Sequence, residues 1–168
     1  MKDKKLLRLL GVGVGAIMLL VAFILYVTTF VVWKSGSLSF SAGTGYDLAF
    51  GAHGQYLDTD PVAGTLVAWI FSLVLLIGAV GVLALFILNN LGVIKFKALD
   101  NKMVSLLCGG CFCVVGVVAG LLVFLSLPLA NISGDGWSLG VGGVFTGILS
   151  ILGGGCTAFS IIAPNVLK

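Results

Sequence analysis

The sequence predicts an all-α membrane protein: a bundle of four transmembrane helices with a small β-hairpin-like loop at one end. Hydrophobic residues make up 60% of the 168 residues and charged residues only 9%, whereas soluble domains carry about 25% charged residues. Four apolar runs each exceed the roughly 20 residues that a helix needs to cross a bilayer. They lie at roughly 6–33, 62–88, 103–127 and 138–163. We therefore treat residues 1–168 as a single polytopic membrane domain.

The first apolar run follows a basic N-terminal segment and continues to Trp33. The apolar region of a cleaved signal peptide is shorter, at about 7–15 residues, so we expect a retained membrane anchor. Gly11 and Gly15 are four residues apart, a spacing that lets another helix approach closely in a membrane. We predict that these two glycines lie at a helix-packing surface.

The segment 34–61 is the longest polar stretch of the chain. Residues 37–42 alternate polar and apolar side chains, which favours a strand, and Gly43-Thr44-Gly45 is typical of a turn. Residues 46–50 would form the second strand of a hairpin, and an irregular glycine-rich loop is the alternative. Five apolar residues of this segment are our candidates for an exposed recognition surface. They are Leu38, Phe40, Tyr46, Leu48 and Phe50.

The second apolar run has a clear start signal. Asp58 and Asp60 precede Pro61, and an acidic N-cap followed by proline at the first helical position is a common helix start. Gly78 and Gly81 lie further along this run and form part of a stripe of small residues. We predict that this stripe packs against another helix.

Glycine is most frequent in the third and fourth runs. Gly116 and Gly120 form a further pair with four-residue spacing, and Gly143 and Gly147 belong to a fourth run with seven glycines between positions 140 and 155. Each glycine would cost a helix in water about 1 kcal/mol, but an unsatisfied backbone in hydrocarbon costs more. Such a helix must be covered by neighbours. We predict that it lies at the centre of the bundle or at an oligomer interface.

The distribution of basic residues predicts the orientation. Four spans place both termini on one side, and the two terminal segments with the connection between the second and third spans hold eight of the nine Lys and Arg residues. Short flanks rich in Lys and Arg face the cytoplasm. We therefore expect an integral protein of the plasma membrane with cytoplasmic termini and with loop 34–61 outside.

Four cysteines form the most suggestive reactive set. Cys108 and Cys111 have CxxC spacing on the third span, with Cys113 close by and Cys156 on the fourth. A membrane thiol oxidoreductase would need a pair on the oxidising side, and the outer segments contain no cysteine. Buried cysteine commonly acts as a small apolar residue. We favour packing, and we leave lipidation and redox roles open.

No metal, cofactor or catalytic site is predicted. His53 is the sole histidine, and no second histidine or nucleophile elbow accompanies Asp58 and Asp60. We expect His53 to lie in a solvated loop. Calcium binding by Asp58 and Asp60 with Asp47 or Asp135 is the alternative to helix capping.

These patterns lead to a function class. The net charge of +3 is too small and scattered for nucleic acid, and the spans lack ionisable residues beyond their first turns, which argues against proton-coupled transport. The layout resembles the claudin-like tetraspan architecture in outline. The tryptophan, glycine-leucine-tryptophan and paired-cysteine signature of the claudin first loop is missing, so we assign no family.

Our first hypothesis is a non-enzymatic tetraspan protein that acts as a structural, accessory or interaction subunit of a membrane complex. It would associate through glycine-rich helix faces and loop 34–61, with the lipid bilayer and either further copies of itself or other membrane proteins as partners. An oligomeric small-solute channel or transport subunit is the alternative. A membrane thiol oxidoreductase is the third hypothesis.

Overall fold

The computed structural model describes residues 2–53, 57–93, 101–132 and 136–166. Four of its helices are long and apolar enough to cross a membrane, by length and composition, which confirms the predicted four-helix arrangement. They are α1 (Lys2–Ile24), α3 (Ala63–Asn90), α4 (Lys102–Phe124) and α6 (Val141–Val166). Lys95, Lys97 and Asp135, which entered the predictions on orientation and calcium, lie outside the described residues.

Two short helices and five strands connect the long helices. The short helices are α2 (Gly45–Phe50) and α5 (Ser126–Leu129), and a 3₁₀ turn (Leu25–Val27) follows α1. The strands are β1 (Thr29–Ser35), β2 (Leu38–Thr44), β3 (Ala52–His53), β4 (Asp58–Thr59) and β5 (Trp137–Leu139). A three-stranded antiparallel sheet has the order β2-β1-β5, and β3 pairs with β4. Because β5 comes from the connection between α4 and α6, this sheet joins both loops at one end of the bundle, which we call the sheet end.

The predicted hairpin exists, but it lies earlier in the chain. The first helix stops at Ile24, and Thr28 is extended with its side chain donating a hydrogen bond to the carbonyl of Leu25 at 2.6 Å. The β-branched and aromatic residues that follow form β1 within the predicted first span. The turn is at Gly36, which has φ +62°, rather than at residues 43–45. Glycine at the first central position of a two-residue loop is typical of a hairpin turn.

The predicted second strand, residues 46–50, is the helix α2 instead. Thr44 caps it: the Thr44 hydroxyl accepts from the Asp47 amide at 3.2 Å, and the Asp47 carboxylate accepts from the Thr44 amide at 2.6 Å. This reciprocal capping box satisfies two amides that a helix start leaves without partners. The prediction of a strand from the period-two pattern of residues 46–50 is therefore wrong.

The predicted start of the second transmembrane helix is also wrong. Asp58 lies in β4 and bonds His53, and Asp60 and Pro61 precede the helix without capping it. The helix α3 begins at Ala63 after an extended Val62 with no side-chain cap. The amide of Val62 donates to the carbonyl of Leu48 at 2.8 Å. This bond holds the chain extended beyond the proline, so the helix starts two residues after it.

The remaining helix limits shift by a few residues. The side chain of Asn101 caps α4 by accepting from the Met103 amide at 3.0 Å. The helix α4 ends at Phe124, three residues before the predicted limit at 127, and Pro128 lies in the separate helix α5. Residues 137–139 pair with β1, so α6 starts at Val141, later than predicted, and it extends past Pro164.

Of the two predicted positions for the glycine-rich fourth span, the centre of the bundle or an oligomer interface, the buried fractions favour the first. Half of the residues in the apolar stretch of α6 are buried (50%), compared with 28–33% in the other three long helices. The helix α6 packs mainly against α4 and α1. One core cluster fills the helix bundle, and a second, around Tyr26, Phe30 and Leu48, lies beneath the sheet end.

Candidate interaction surface at the sheet end

A row of aromatic residues crosses the three-stranded sheet. Trp33 of β1 lies opposite Phe40 of β2 and, on the other side, opposite Trp137 of β5. The rings of Trp33 and Phe40 are stacked with centroids 6.0 Å apart. Directly opposite residues in an antiparallel pair share a face of the sheet. Phe40, Trp33 and Trp137 therefore form one row, which we call the aromatic row.

The face of the sheet that carries the aromatic row changes from buried to exposed along the strands. Val31 is fully buried in the second core cluster, whereas Phe40 is 46% exposed and Leu38, opposite Ser35 near the turn, is 61% exposed. The other face of the sheet carries Lys34, Ser39 and other polar side chains. The sheet thus presents an apolar face and a polar face at its free tip.

Three of the five predicted recognition residues are exposed. Leu38, Phe40 and Phe50 expose large apolar side chains, and Tyr46 is half-buried. The prediction that Leu48 is exposed is wrong, because its side chain is 0% exposed and belongs to the second core cluster. In a helix, residues four apart share a face and residues two apart do not. Tyr46 and Phe50 accordingly stack together at 6.0 Å while Leu48 points into the core.

A second aromatic cluster joins α2 to the transmembrane helices. The ring of Trp69 on α3 lies 5.3 Å from that of Phe50 and 6.1 Å from that of Tyr46. Phe23 of α1 lies 5.7 Å from Trp69 on a further side. These contacts fix α2 to α1 and α3. The surface that carries Phe50 is therefore held by the ends of two long helices.

Trp33 is the surface residue that sequence reasoning missed as part of a sheet. It was assigned to the end of a membrane helix, because the apolar run continues to that position. The signal that could have found it is the composition of residues 28–33, where two threonines and two valines accompany the aromatic residues. β-Branched and aromatic residues favour a strand.

The predicted helix-packing glycines of α1 face α6. A side chain at Gly11 would meet the side chain of Ser160, and one at Gly15 would meet Thr157 and lie 2.9 Å from the carbonyl oxygen of Gly153. At the end of the bundle opposite the sheet, Arg8 donates a hydrogen bond to Asn165 at 2.7 Å. The helices α1 and α6 thus lie close together over the two turns from Arg8 to Gly15.

The glycines of α4 and α6 face each other. A Cβ atom at Gly116 would lie 2.9 Å from the carbonyl oxygen of Ser150, and one at Gly120 would lie 2.7 Å from that of Gly147. These distances are shorter than ordinary van der Waals contact. The two backbones therefore approach too closely for any larger residue without movement.

The other predicted packing glycines have different surroundings. A Cβ atom at Gly78 would lie 3.0 Å from the ring of Phe112, and one at Gly147 would lie 2.7 Å from that of Phe124. Gly143 lies against Leu139 rather than against another long helix. Gly81 has nothing within 4 Å of a Cβ atom. Most of these glycine faces are thus occupied by neighbours in the same chain.

The four cysteines are free thiols. Cys108 packs against the first core cluster, and Cys156 is half-buried beside an open apolar groove of about 400 Å³ between α1 and α6. Cys111 and Cys113 are exposed on the surface of α4. Cys108 and Cys111 are three residues apart and lie on one side of α4, whereas Cys156 is on α6.

His53 lies at the surface, where its side chain is 81% exposed. Its Nδ1 atom is 2.7 Å from a carboxylate oxygen of Asp58. This hydrogen bond, with the nearby negative charge of Asp58, raises the pKa of His53 above its usual value. Among the described residues, no group of three or more His, Cys, Asp or Glu side chains could hold a metal ion.

Most of the buried polar side chains of the described helices carry hydroxyl groups. Thr146 on α6, for example, donates to the carbonyl of Ala22 at 3.4 Å, and Ser72 donates to the carbonyl of Ala68 at 2.9 Å. The buried Ser and Thr residues are Thr65, Ser72, Ser105, Ser126, Thr146, Ser150, Thr157 and Ser160. The hydroxyl of Tyr26, the indole nitrogen of Trp69 and the Nε atom of Arg8 are buried as well.

Comparisons with protein-family models, with curated proteins and with solved structures find no match to this chain. The geometry of the sheet end is therefore the basis for a functional hypothesis.

Proposed function

We propose that this protein is a non-enzymatic tetraspan membrane protein that acts as a structural, accessory or interaction subunit of a membrane complex. Its recognition surface is the sheet end, with Leu38, Phe40 and Phe50 as the contact residues. The glycine-rich faces of α1, α4 and α6 hold its own bundle together. Its partners are other membrane proteins, among them further copies of this chain.

The observation that carries this proposal is the exposed apolar tip of the sheet. Leu38 and Phe40 lie on β2, outside the four helices that are apolar enough to meet lipid, and both are exposed. An exposed apolar patch with polar surroundings commonly marks an interaction site. The hairpin is joined to β5 and to the second core cluster. The patch is thus presented on a preformed support, which lowers the entropic cost of binding.

The proposal includes an orientation. Arg8 and Lys102 lie at the end of the bundle opposite the sheet, where α1 begins and α6 ends. The sheet end carries Lys34 together with Asp47, Asp58 and Asp60. By the positive-inside tendency, the sheet end faces away from the cytoplasm, in the plasma membrane.

A paired substitution tests the recognition surface. In L38S/F40S the chain loses both exposed apolar side chains, and in the matched control S39T/S41T the polar face of the same strand changes instead. Both proteins are expressed in native membranes, solubilised in mild detergent and separated by size under native conditions. We expect the wild type and the control to migrate in a complex larger than one chain and L38S/F40S to lose it. Equal migration of all three proteins would contradict the proposal.

A further inference from the structure

Among the residues that the structure describes, the strand β2 has one free edge. The sheet order is β2-β1-β5, so β1 is central and β2 pairs with a described strand on one side only. The amide of Lys34 donates to the carbonyl of Gly136 at 2.8 Å, which shows that Lys34 directs its backbone bonds away from β2. Ser39 lies opposite Lys34. In an antiparallel pair, two residues that lie opposite each other either hydrogen-bond to each other or both point their amide and carbonyl groups away. Since Lys34 points away from β2, the amide and carbonyl of Ser39 point to the free edge.

Ser41 presents its backbone in the same way. It is opposite Val32, two residues from Lys34, and strand geometry repeats every two residues. The free edge therefore offers two amides and two carbonyls, from Ser39 and Ser41. At the end of β2, Ala42 is skipped in the pairing with β1 and the side chain of Leu57 lies against Gly43, which limits the regular open edge to residues 38–41.

This edge has none of the usual protection against pairing. Exposed edges of natural sheets carry charged residues or proline, or they bulge away from a partner. Residues 38–41 contain no charge and no proline, and their register with β1 is regular; the irregular register begins at Ala42, where Val31 and Val32 pair with Gly43 and Ser41. The edge is thus extended, uncharged and apolar on one face. These are the properties of an edge strand that can pair with a strand of another chain.

We propose that β2 pairs antiparallel with β2 of a second copy of this chain, with the two-fold axis at Phe40. Ser39 of each copy then exchanges two hydrogen bonds with Ser41 of the other, which makes four bonds in total. Phe40 lies directly opposite its equivalent, in the type of pair where side chains approach most closely. The aromatic row continues across the axis into a six-stranded sheet. This inference rests on the proposed function, since it names one partner of the same surface.

The charges of the sheet permit this self-pairing. Lys34 is the charged residue of β1, β2 and β5, and it lies on the strand next to β2. Strands are about 4.8 Å apart, so the two copies of Lys34 would be separated by three spacings. That distance of about 14 Å exceeds the Debye length of about 10 Å at 0.1 M salt. An edge strand that carried charges would repel the same strand of a second copy, whereas β2 carries no charged residue.

A proline substitution tests the hydrogen bonds at the edge. Ser39→Pro removes the outward amide and leaves the inner ladder to β1 intact, and Ser39→Thr keeps the amide as the matched control. The molar mass of each purified protein is measured by light scattering in detergent over a range of concentrations. We expect wild type and Ser39→Thr to form a dimer and the dissociation constant of Ser39→Pro to rise about tenfold or more, since two of four bonds are lost. A monomeric wild type, or a Ser39→Pro dimer of unchanged affinity, would overturn the proposal.

A cysteine cross-link gives a second readout that does not depend on proline. In a background with Cys108, Cys111, Cys113 and Cys156 replaced by alanine, Phe40→Cys places one thiol at the two-fold axis. Lys34→Cys is the matched control, equally exposed but one strand away. Diamide oxidises two thiols to one disulfide and takes up the two electrons and two protons. We expect a covalent dimer from Phe40→Cys within seconds and little from Lys34→Cys. No dimer from Phe40→Cys, or equal dimer from both, would overturn the edge pairing.

The outcomes separate this inference from the proposed function. If purified protein stays monomeric and Phe40→Cys does not cross-link, while L38S/F40S still loses its complex in membranes, the partner is a different protein and only the self-pairing is wrong. If L38S/F40S keeps its complex, the proposed recognition surface is wrong as well.

Discussion

Glycine at single positions decides how closely the helices approach. At Gly120 a Cβ atom would lie 2.5 Å from the Ile151 side chain and 2.7 Å from the Gly147 carbonyl oxygen. At Gly81 it would meet nothing within 4 Å. The two positions share a residue type and a helical backbone but differ in their surroundings. They therefore form a matched pair for measuring the contribution of close packing.

We expect Gly120→Ala to lower the free energy of unfolding by about 1–3 kcal/mol, as overpacking of a close contact does. Gly81→Ala should leave it unchanged or raise it slightly, because alanine favours a helix. Unfolding in mixed detergent micelles, followed by circular dichroism, provides the measurement. Equal effects of the two substitutions would show that the α4 and α6 backbones leave room for a methyl group at position 120.

The His53–Asp58 pair predicts a pH-dependent ionisation at the sheet end. The hydrogen bond to Asp58 raises the pKa of His53 in the folded protein, so any stabilisation from the pair is present below the unfolded value of about 6.5. It is lost as the pH rises through the folded pKa. Because His53 is the sole histidine, its ring resonances can be titrated directly by NMR in micelles. We expect a pKa above 6.5 that falls in Asp58→Asn, and a value of 6.5 or lower in the wild type would refute the pair.

Short elements at the sheet end depend on local capping. The helix α2 is only six residues long and starts at the capping box of Thr44 and Asp47. It places Leu48 in the core and Phe50 at the surface. The stability of this one turn and a half therefore determines whether Phe50 is presented.

We expect Thr44→Ala to destabilise α2 by about 1 kcal/mol, the usual cost of losing an N-cap. Amide hydrogen exchange at residues 47–51 should accelerate about fivefold, while exchange in α3 stays the same. Thr59→Ala, which removes an exposed bond to the Asp60 carbonyl, is the control and should not change exchange in α2. Unchanged protection of residues 47–51 in Thr44→Ala would show that tertiary contacts alone hold the helix.

The limits of prediction at this scale have a physical cause. Long apolar runs identify membrane helices because bilayer thickness sets their length, and the glycines of α6 predicted a covered position for it. Residues 46–50 are too short for their periodicity to separate strand from helix, and the capping box at Thr44 decides between them. Trp33 belongs to an apolar run that continues from α1 into β1, so hydropathy alone did not locate the boundary. The pairing of β5 with β1 joins residues about 100 positions apart, and no local pattern in the sequence indicates it.

The whole molecule has two ends of different character. The start of α1, the start of α4 and the end of α6 lie at one end, and the sheet with α2 lies at the other. Between them the described core is lined by glycine, apolar side chains and hydroxyl groups. Exposed apolar side chains outside the four long helices lie at both ends, with Leu91 and Val93 after α3 and Leu38 and Phe40 on the sheet. The sheet end holds its apolar residues on a paired strand, and its side of the membrane determines which partners it meets.

Labelling of a single cysteine at the turn tests this orientation. Ser37→Cys is introduced into the chain whose four native cysteines are replaced by alanine, so it supplies the single thiol. Ser37 is exposed. We expect a membrane-impermeant maleimide to label it in intact cells, because short segments rich in Lys and Arg favour the cytoplasmic side and the proposed orientation therefore places the turn outside. A cysteine added after Lys168 is the control and should react only after permeabilisation. The reverse pattern would invert the proposed topology.

The central claim is that the exposed tip of the sheet contacts protein rather than lipid. A photoreactive amino acid placed at Phe40 in native membranes tests this claim most directly, with the same probe at Val74, an exposed position on α3, as the reference for a lipid-facing surface. After irradiation, the mass of each adduct is measured. The account predicts protein–protein adducts from position 40 and predominantly lipid adducts from position 74. Lipid or solvent adducts alone from position 40 would contradict it.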